Sequence, residues 1–232
     1  MAHEEIKKRV AEKALELLKP GMKVGIGTGS TIFFFIEALK RQNALKRLEI
    51  RCIATSTGSK KLLGDRFSFL DDSLIDTVDI TFDGADRIDP KDFTMIKGGG
   101  GALLREKMVA LASKQNVILV DYTKIASPLG GFPVAIEIVS FGVEETIRKI
   151  KKAGYKGALR KGAMEKPFLT DNQNMIFDIT FSSPILDPKT DHIALKEITG
   201  VVETGFFFNI PTDVFIGEKN ATVRHIRNKE SS

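Results

Sequence analysis

Apolar positions in this 232-residue chain recur with two periods, and the switches between them mark out the elements. Ile6, Val10, Ala14 and Leu17 or Leu18 fall on one side of a helix over residues 4–19, which Pro20-Gly21 stops. A short strand over residues 23–26 runs into Gly27-Thr28-Gly29-Ser30-Thr31, and a helix over about 32–41 follows. Residues 50–54 give a second strand, and a helix begins at 60–63. Val78, Ile80 and Phe82 then alternate with Asp79 and Thr81, the period-two signature of a strand, here ending at Asp83. Behind four glycines, Leu104, Met108 and Leu111 share one face of a helix starting at Ala102. Residues 117–120 are an apolar strand that ends at Asp121. Strand and helix alternate throughout this half, as in an open parallel sheet.

From about residue 131 the order changes. A strand over 134–139 leads to a helix over 143–153, strand material at 158–160 and 168–169, and a turn at Asp171-Asn172-Gln173-Asn174. A strand over 175–181, a helix over 192–198 and a strand over 201–208 complete the set. That succession, β-α-β-β-α-β, is the ferredoxin-like order. The expected fold is therefore α/β: a Rossmann-like parallel-sheet main domain of residues 1–130 plus 204–232, with a smaller inserted ferredoxin-like α+β domain of residues 131–203. Residues 214–216 return to the main sheet, and the last dozen residues read as a frayed end.

Charge and composition narrow the function. The formal charge is +5, but basic residues are scattered among acids, with no arginine-rich helix and no aromatic-basic RNA-binding pattern. A field that draws in a phosphorylated substrate is the better use of that charge, and nucleic acid is not expected as a partner. No apolar run reaches the length of a membrane span, and MAHEEIKKRV has no hydrophobic segment of a secretory signal. Cys52 is the only cysteine, which excludes an internal disulfide and suits the reducing cytoplasm; its apolar setting suggests a buried, inert thiol. His3, His192 and His225 are dispersed, so no metal site is expected.

The chemistry concentrates between Asp83 and Lys107, DGADRIDPKDFTMIKGGGGALLREK. Gly84 lets the chain turn so that Asp86 can point back toward the pocket of Asp83. After Lys97, Gly98, Gly99 and Gly100 can bring bare backbone N–H groups close to a ligand, and the following helix directs its positive end there. Glu106 lies early in that helix. A carboxylate, a lysine and backbone donors together suit removing a proton beside a carbonyl and holding the oxyanion that forms. The Thr28–Thr31 loop sits between strand and helix, where amides and hydroxyls cradle phosphate or sugar oxygens. It is not a Walker A loop, since no Gly-Lys-Ser/Thr follows at the required distance. As a dinucleotide fingerprint it fails too: Ser30 occupies the third glycine position, and the second strand ends in Thr55-Ser56-Thr57 where an acid is needed. Lys124 lies just beyond the carboxyl end of the 117–120 strand. On residue type alone Lys124 would be a solvated loop lysine, whereas Lys7 reads equally as a solvated helix lysine or a phosphate contact.

DGAD, KGGGGALLREK and the upstream GIGTGST, followed by DYTK, GGFPVAIEI, TDNQN, ILDP and GVVETGFF, resemble the ribose-5-phosphate isomerase family of the A type over nearly the whole chain. The resemblance implies an isomerase (an intramolecular oxidoreductase) of the non-oxidative pentose phosphate pathway. It would interconvert D-ribose 5-phosphate and D-ribulose 5-phosphate through an enediolate. Carried over by residue, Glu106 is the base, Asp83 and Asp86 meet the sugar hydroxyls, and Lys97 with the N–H groups after it stabilises the oxyanion. Thr28, Gly29, Ser30, Thr31, Gly84, Ala85, Lys124 and, more weakly, Lys7 would hold the substrate and its phosphate. No cofactor is implied, and a homodimer or dimer of dimers is. Arg87, Tyr122 and Gln173 depart from the family pattern, Gln173 standing where a turn glycine is usual. A sugar-phosphate sensor would dispense with Glu106 and Lys97 and would carry a DNA-binding helix pair. Sugar-phosphate deaminases and lactonases share only general architecture with this chain.

Overall fold

Burial, more than helix or strand propensity, sets the elements of the computed structural model, which describes residues 2–46, 48–73, 75, 77–181 and 184–228. In α1 (Ala2–Ala14), Ile6, Val10 and Ala14 are buried as their spacing predicts, and the last turn tightens into a 3₁₀ segment, Leu15–Leu17. Next come β1 (Lys23–Ile26), α2 (Ser30–Lys46), β2 (Arg51–Ala54), α3 (Thr57–Leu63), the short β3 (Ser68–Phe69) and β4 (Val78–Asp83). β5 (Arg87–Ile88) and β6 (Met95–Ile96) precede α4 (Leu103–Leu111) and β7 (Ser113–Asp121). The second half gives β8 (Val134–Ile138), α5 (Val143–Lys152), β9 (Gly157–Leu159), β10 (Met175–Ile179), α6 (Pro188–Lys196), β11 (Val201–Thr204) and β12 (Phe206–Phe207). β13 (Asp213–Gly217) and β14 (Val223–Arg227) close the series.

The chain gathers into two compact units. The first comprises Met1–Ala85, Arg105–Ile125 and Asn209–Ser232, and the second Asp86–Leu104 and Ala126–Phe208. In the first, a seven-stranded sheet runs β14-β13-β7-β4-β1-β2-β3, parallel except for β14. Its core joins Val10 and Leu15 of the α1 region to Phe35 and Leu39 of α2 and to Ile26, Phe82 and Leu119 of the sheet. Phe35 stacks on Phe82 at 4.3 Å, fixing α2 over β4. Burying each ring is worth about 1.5–3 kcal/mol. The Cys52 thiol lies in this core, and burial pushes its pKa up to about 12.

The second unit holds an antiparallel sheet of order β11-β8-β10-β9, the arrangement of a ferredoxin-like domain, with a core of Ile136, Ile138, Ile150, Phe177 and Leu195. Residues 86–104 group with this unit, whereas the sequence leaves them in the main domain. The reason is a small sheet, β12-β6-β5, that the two-residue strands could not announce. It also splits the strand expected over 201–208. Between β11 and β12, a Cβ on Gly205 would come 2.4 Å from the Lys97 carbonyl oxygen.

Two further expectations are corrected. Residues 223–227 of the supposedly frayed end form β14, paired with β13, while residues 229–232 lie outside the described ones. The helix α4 turns the opposite way from its expected apolar face. Met108 and Leu111 are 52% and 71% exposed, while Leu103, Glu106, Val109 and Ala110 are buried. Val109 sets this rotation by packing with Ile53 and Val78 of the sheet.

Candidate active site

In the first unit the carboxyl ends of β1, β4 and β7 lie along one edge of the parallel sheet. The chain leaves β1 toward β2 on one side, while β4 flanks it on the other. Ligands collect at such a switch point. Asp83 ends β4 there and is buried. Its Oδ1 accepts the backbone N–H groups of Gly84 at 2.7 Å and Thr28 at 3.2 Å. Gly27, whose own N–H reaches the Phe82 carbonyl at 2.8 Å, leaves room for this carboxylate only by having no side chain. A Cβ there would lie 1.9 Å from Oδ1.

The loop after β1 is pinned by hydroxyls. Thr28 Oγ1 donates to Ser56 Oγ at 2.9 Å and lies 3.1 Å from Thr55 Oγ1, and Ser59 Oγ donates to the Gly27 carbonyl at 2.6 Å. Ser56 also caps α3 by accepting the Ser59 N–H at 3.1 Å. The segment that disqualified the dinucleotide reading thus braces the loop. Gly29, at φ +119°, turns the chain into α2, which begins at Ser30, so the loop meets the positive end of that helix. Lys7 Nζ donates to Ser30 Oγ at 2.9 Å, bringing a cation from α1 onto the same loop. Thr31 is buried just behind it.

Glu106 occupies the buried stripe of α4 at 4% exposure, one turn before Val109. Lys124 is half-buried in the 3₁₀ turn Tyr122–Lys124, which Asp121 caps by accepting the Thr123 N–H at 2.9 Å.

In the second unit, Asp86 Oδ2 accepts the Gly99 N–H at 2.8 Å, and its own N–H donates to the Ile96 carbonyl at 2.9 Å. A Cβ on Gly99 would sit 2.6 Å from the Asp86 carboxylate. Lys97 is buried, with Nζ 5.6 Å from the centre of the Phe207 ring and its backbone N–H on the Gly205 carbonyl at 2.9 Å. Gly98 and Gly101 both hold positive φ, and Gly101 N–H closes a turn onto Gly98 O at 2.9 Å. Gly99 and Gly100 are exposed. Arg87 turns its guanidinium to the carbonyls of Asp86, Gly130 and Gly131. Among the described residues, no group of three or more His, Cys, Asp or Glu side chains is gathered as metal ligands would be.

Residues 51–221 match the family model of ribose 5-phosphate isomerase A (phosphoriboisomerase A). The ribose-5-phosphate isomerase A of Protochlamydia amoebophila is 46% identical over 220 residues, 94% of each chain. The chain belongs to this family. The ribose 5-phosphate isomerase of Plasmodium falciparum superposes with a TM-score of 0.91 at 34% identity, covering 97% of this chain and 99% of that one. Another isomerase structure, in complex with phospho-erythronic acid, has a TM-score of 0.88 at 34% identity with the same coverage.

Within the first unit, Thr28, Gly29, Ser30, Thr31, Asp83, Gly84 and Lys7 are gathered at one loop; within the second, Asp86, Lys97, Gly98, Gly99 and Gly100 form one segment. The sequence-based set for this family member missed two groups. The hydroxyls of Thr55 and Ser56 were signalled by the run TST after β2, where polar residues end an apolar strand, and Ser59 follows in the first turn of α3. Arg160 gave no local signal, because its partners lie 18 and about 60 positions away.

Proposed function

We propose that this isomerase interconverts D-ribose 5-phosphate and D-ribulose 5-phosphate with Glu106 as the base that carries a proton between C2 and C1. The observation that carries the assignment is the burial of Glu106 among Leu103, Val109 and Ala110. Burial on the inward side of α4 holds this carboxylate away from bulk water, a setting that suits a general base. As C2 loses its proton, charge passes to the carbonyl oxygen at C1, and the enediolate forms. Lys97 and the N–H groups of Gly98 and Gly100 supply positive charge and donors for that oxygen, while the Gly99 N–H holds Asp86 beside them. Passing the O2 hydroxyl proton to O1 and returning the carried proton to C1 completes the ketose.

Asp83 and Asp86 take the sugar hydroxyls, and Asp83 assists opening of the furanose ring, with Gly84 and Ala85 shaping the turn between them. Thr28, Gly29, Ser30 and Thr31 hold the phosphate with Lys7 and Lys124. The Lys7–Ser30 contact and the start of α2 support this anion site. Phospho-erythronic acid, found on a relative, also supports the reading: it pairs a phosphate with a carboxylate whose two oxygens resemble an enediolate. A cytoplasmic location and assembly as a homodimer or dimer of dimers complete the proposal. No described helix is long and apolar enough to cross a membrane.

Glu106→Gln keeps the shape and removes the base. Its kcat should fall by ~10²–10⁴-fold, with KM changing much less because ground-state contacts survive. Solvent-hydrogen exchange at the substrate C2, followed by NMR, reads the proton transfer itself. Exchange at the wild-type rate in the Gln variant would remove Glu106 from the role.

A further inference from the structure

We infer that Arg160, held by Asp178, is a positioning residue that fixes the direction of the Gly99 and Gly100 amides. Arg160 follows β9 and is largely buried. It makes a two-pronged pair with Asp178 of β10, Nε to Oδ2 at 2.8 Å and Nη2 to Oδ1 at 2.5 Å. Both nitrogens used in the pair lock the guanidinium plane, which also lies over the Phe168 ring at 5.7 Å. The remaining nitrogen, Nη1, donates to two consecutive carbonyls, Gly98 O at 2.9 Å and Gly99 O at 3.1 Å.

The peptide group turns those two bonds into a statement about N–H direction. In a trans peptide the C=O and the N–H of the next residue point opposite ways. Arg160 on the Gly98 carbonyl therefore drives the Gly99 N–H to the far side, where it meets Asp86 Oδ2 at 2.8 Å. Arg160 on the Gly99 carbonyl drives the Gly100 N–H away from the guanidinium in the same manner. Glycine has no side chain to hold these planes, and each can flip at little steric cost. One arginine thus orients two peptides and, through the first, the carboxylate of Asp86. Lysine is no substitute: a single ammonium cannot keep both bonds to Asp178 and both carbonyls in one plane.

This inference rests on the proposed role of the Gly98–Gly100 segment, and the test separates the two. Wild type, Arg160→Lys and Asp178→Asn are compared by melting temperature, by kcat and KM for ribose 5-phosphate, and by the Gly99 and Gly100 amide resonances with phospho-erythronic acid added. The expected result is a folded Arg160→Lys protein with kcat down about 10–10²-fold, as for a misaimed donor. KM should change less, and the two amides should shift less with the acid than in wild type. Asp178→Asn should show a smaller loss of the same kind, and it carries the test if Arg160→Lys fails to fold. Wild-type kcat per folded molecule, with unchanged amide shifts, would overturn the role of Arg160. If the acid leaves both amides unmoved in wild type, the reading of the glycine segment falls, and the inference with it.

Discussion

Replacing Gly27 by alanine would test how far the Asp83 carboxylate depends on one missing side chain. The new Cβ would lie 1.9 Å from Oδ1, 2.2 Å from Cγ and 2.7 Å from the Asp83 Cβ. A carbon and an oxygen settle at about 3.3–3.6 Å, so the carboxylate must retreat by roughly 1.4 Å or more. β1 cannot retreat instead, because it is paired on both sides, with β4 and β2. The retreat breaks the bonds from Thr28 N–H and Gly84 N–H to Oδ1. Bonds to a charged group are each worth about 1.5–3 kcal/mol, so a stability loss of roughly 3–6 kcal/mol is expected, less where water replaces them. If Asp83 contacts the substrate as proposed, displacing it by 1 Å or more should also lower kcat by about 10²-fold. Urea unfolding and an assay of ketose formed from ribose 5-phosphate measure the two effects. Gly58→Ala is the matched control, since a Cβ there meets only Ser56 Oγ at 3.7 Å inside α3. It should be neutral or stabilising by up to ~1 kcal/mol. Wild-type stability and turnover in Gly27→Ala would refute the reasoning.

Gln173 holds φ at +63° in the turn after Thr170, which costs a side-chain-bearing residue roughly 1–2 kcal/mol. Against the entropy glycine loses on folding, Gln173→Gly should still raise stability by ~0.5–1 kcal/mol, and a lower urea midpoint would contradict this. Asp213 is buried at the start of β13, and burial alone would push its pKa up. Hydrogen bonds from Gln115, His225, Thr212 and Arg227 outweigh that and hold it below 3.8. A depressed carboxylate stabilises the fold above its unfolded pKa, and the contribution disappears as pH falls through the folded value. Wild type should therefore lose stability more steeply than Asp213→Asn as pH drops below about 4. Parallel pH profiles in urea titrations would defeat the assignment.

The sheet of the first unit was legible because its strands are apolar or alternating runs closed by a glycine or an acid: Ile26 before Gly27, Phe82 before Asp83, Val120 before Asp121. Elements of two residues, β3, β5 and β6, carry no period and stayed invisible. The helix α4 misled because its sequence offers two stripes. The more apolar one, through Met108 and Leu111, faces outward, while the one containing Glu106 faces in. A stripe that buries a carboxylate departs from the pattern that packing alone would produce. The basic residues of β14 look like a tail until pairing with β13 is seen. The site motifs were readable because neighbours in sequence act together, and Arg160 was not, because it acts across long separations.

The two borders of the seven-stranded sheet have a consequence for how copies of this protein can meet. One border is β3, only two residues long; the other is β14, which carries Arg224, His225 and Arg227. A truncated strand offers few free amides to recruit another chain, and charged side chains along an edge strand discourage pairing. Both borders therefore disfavour lengthening this sheet by a second molecule strand to strand. Any dimer this chain forms would then join elsewhere than strand to strand along these two borders.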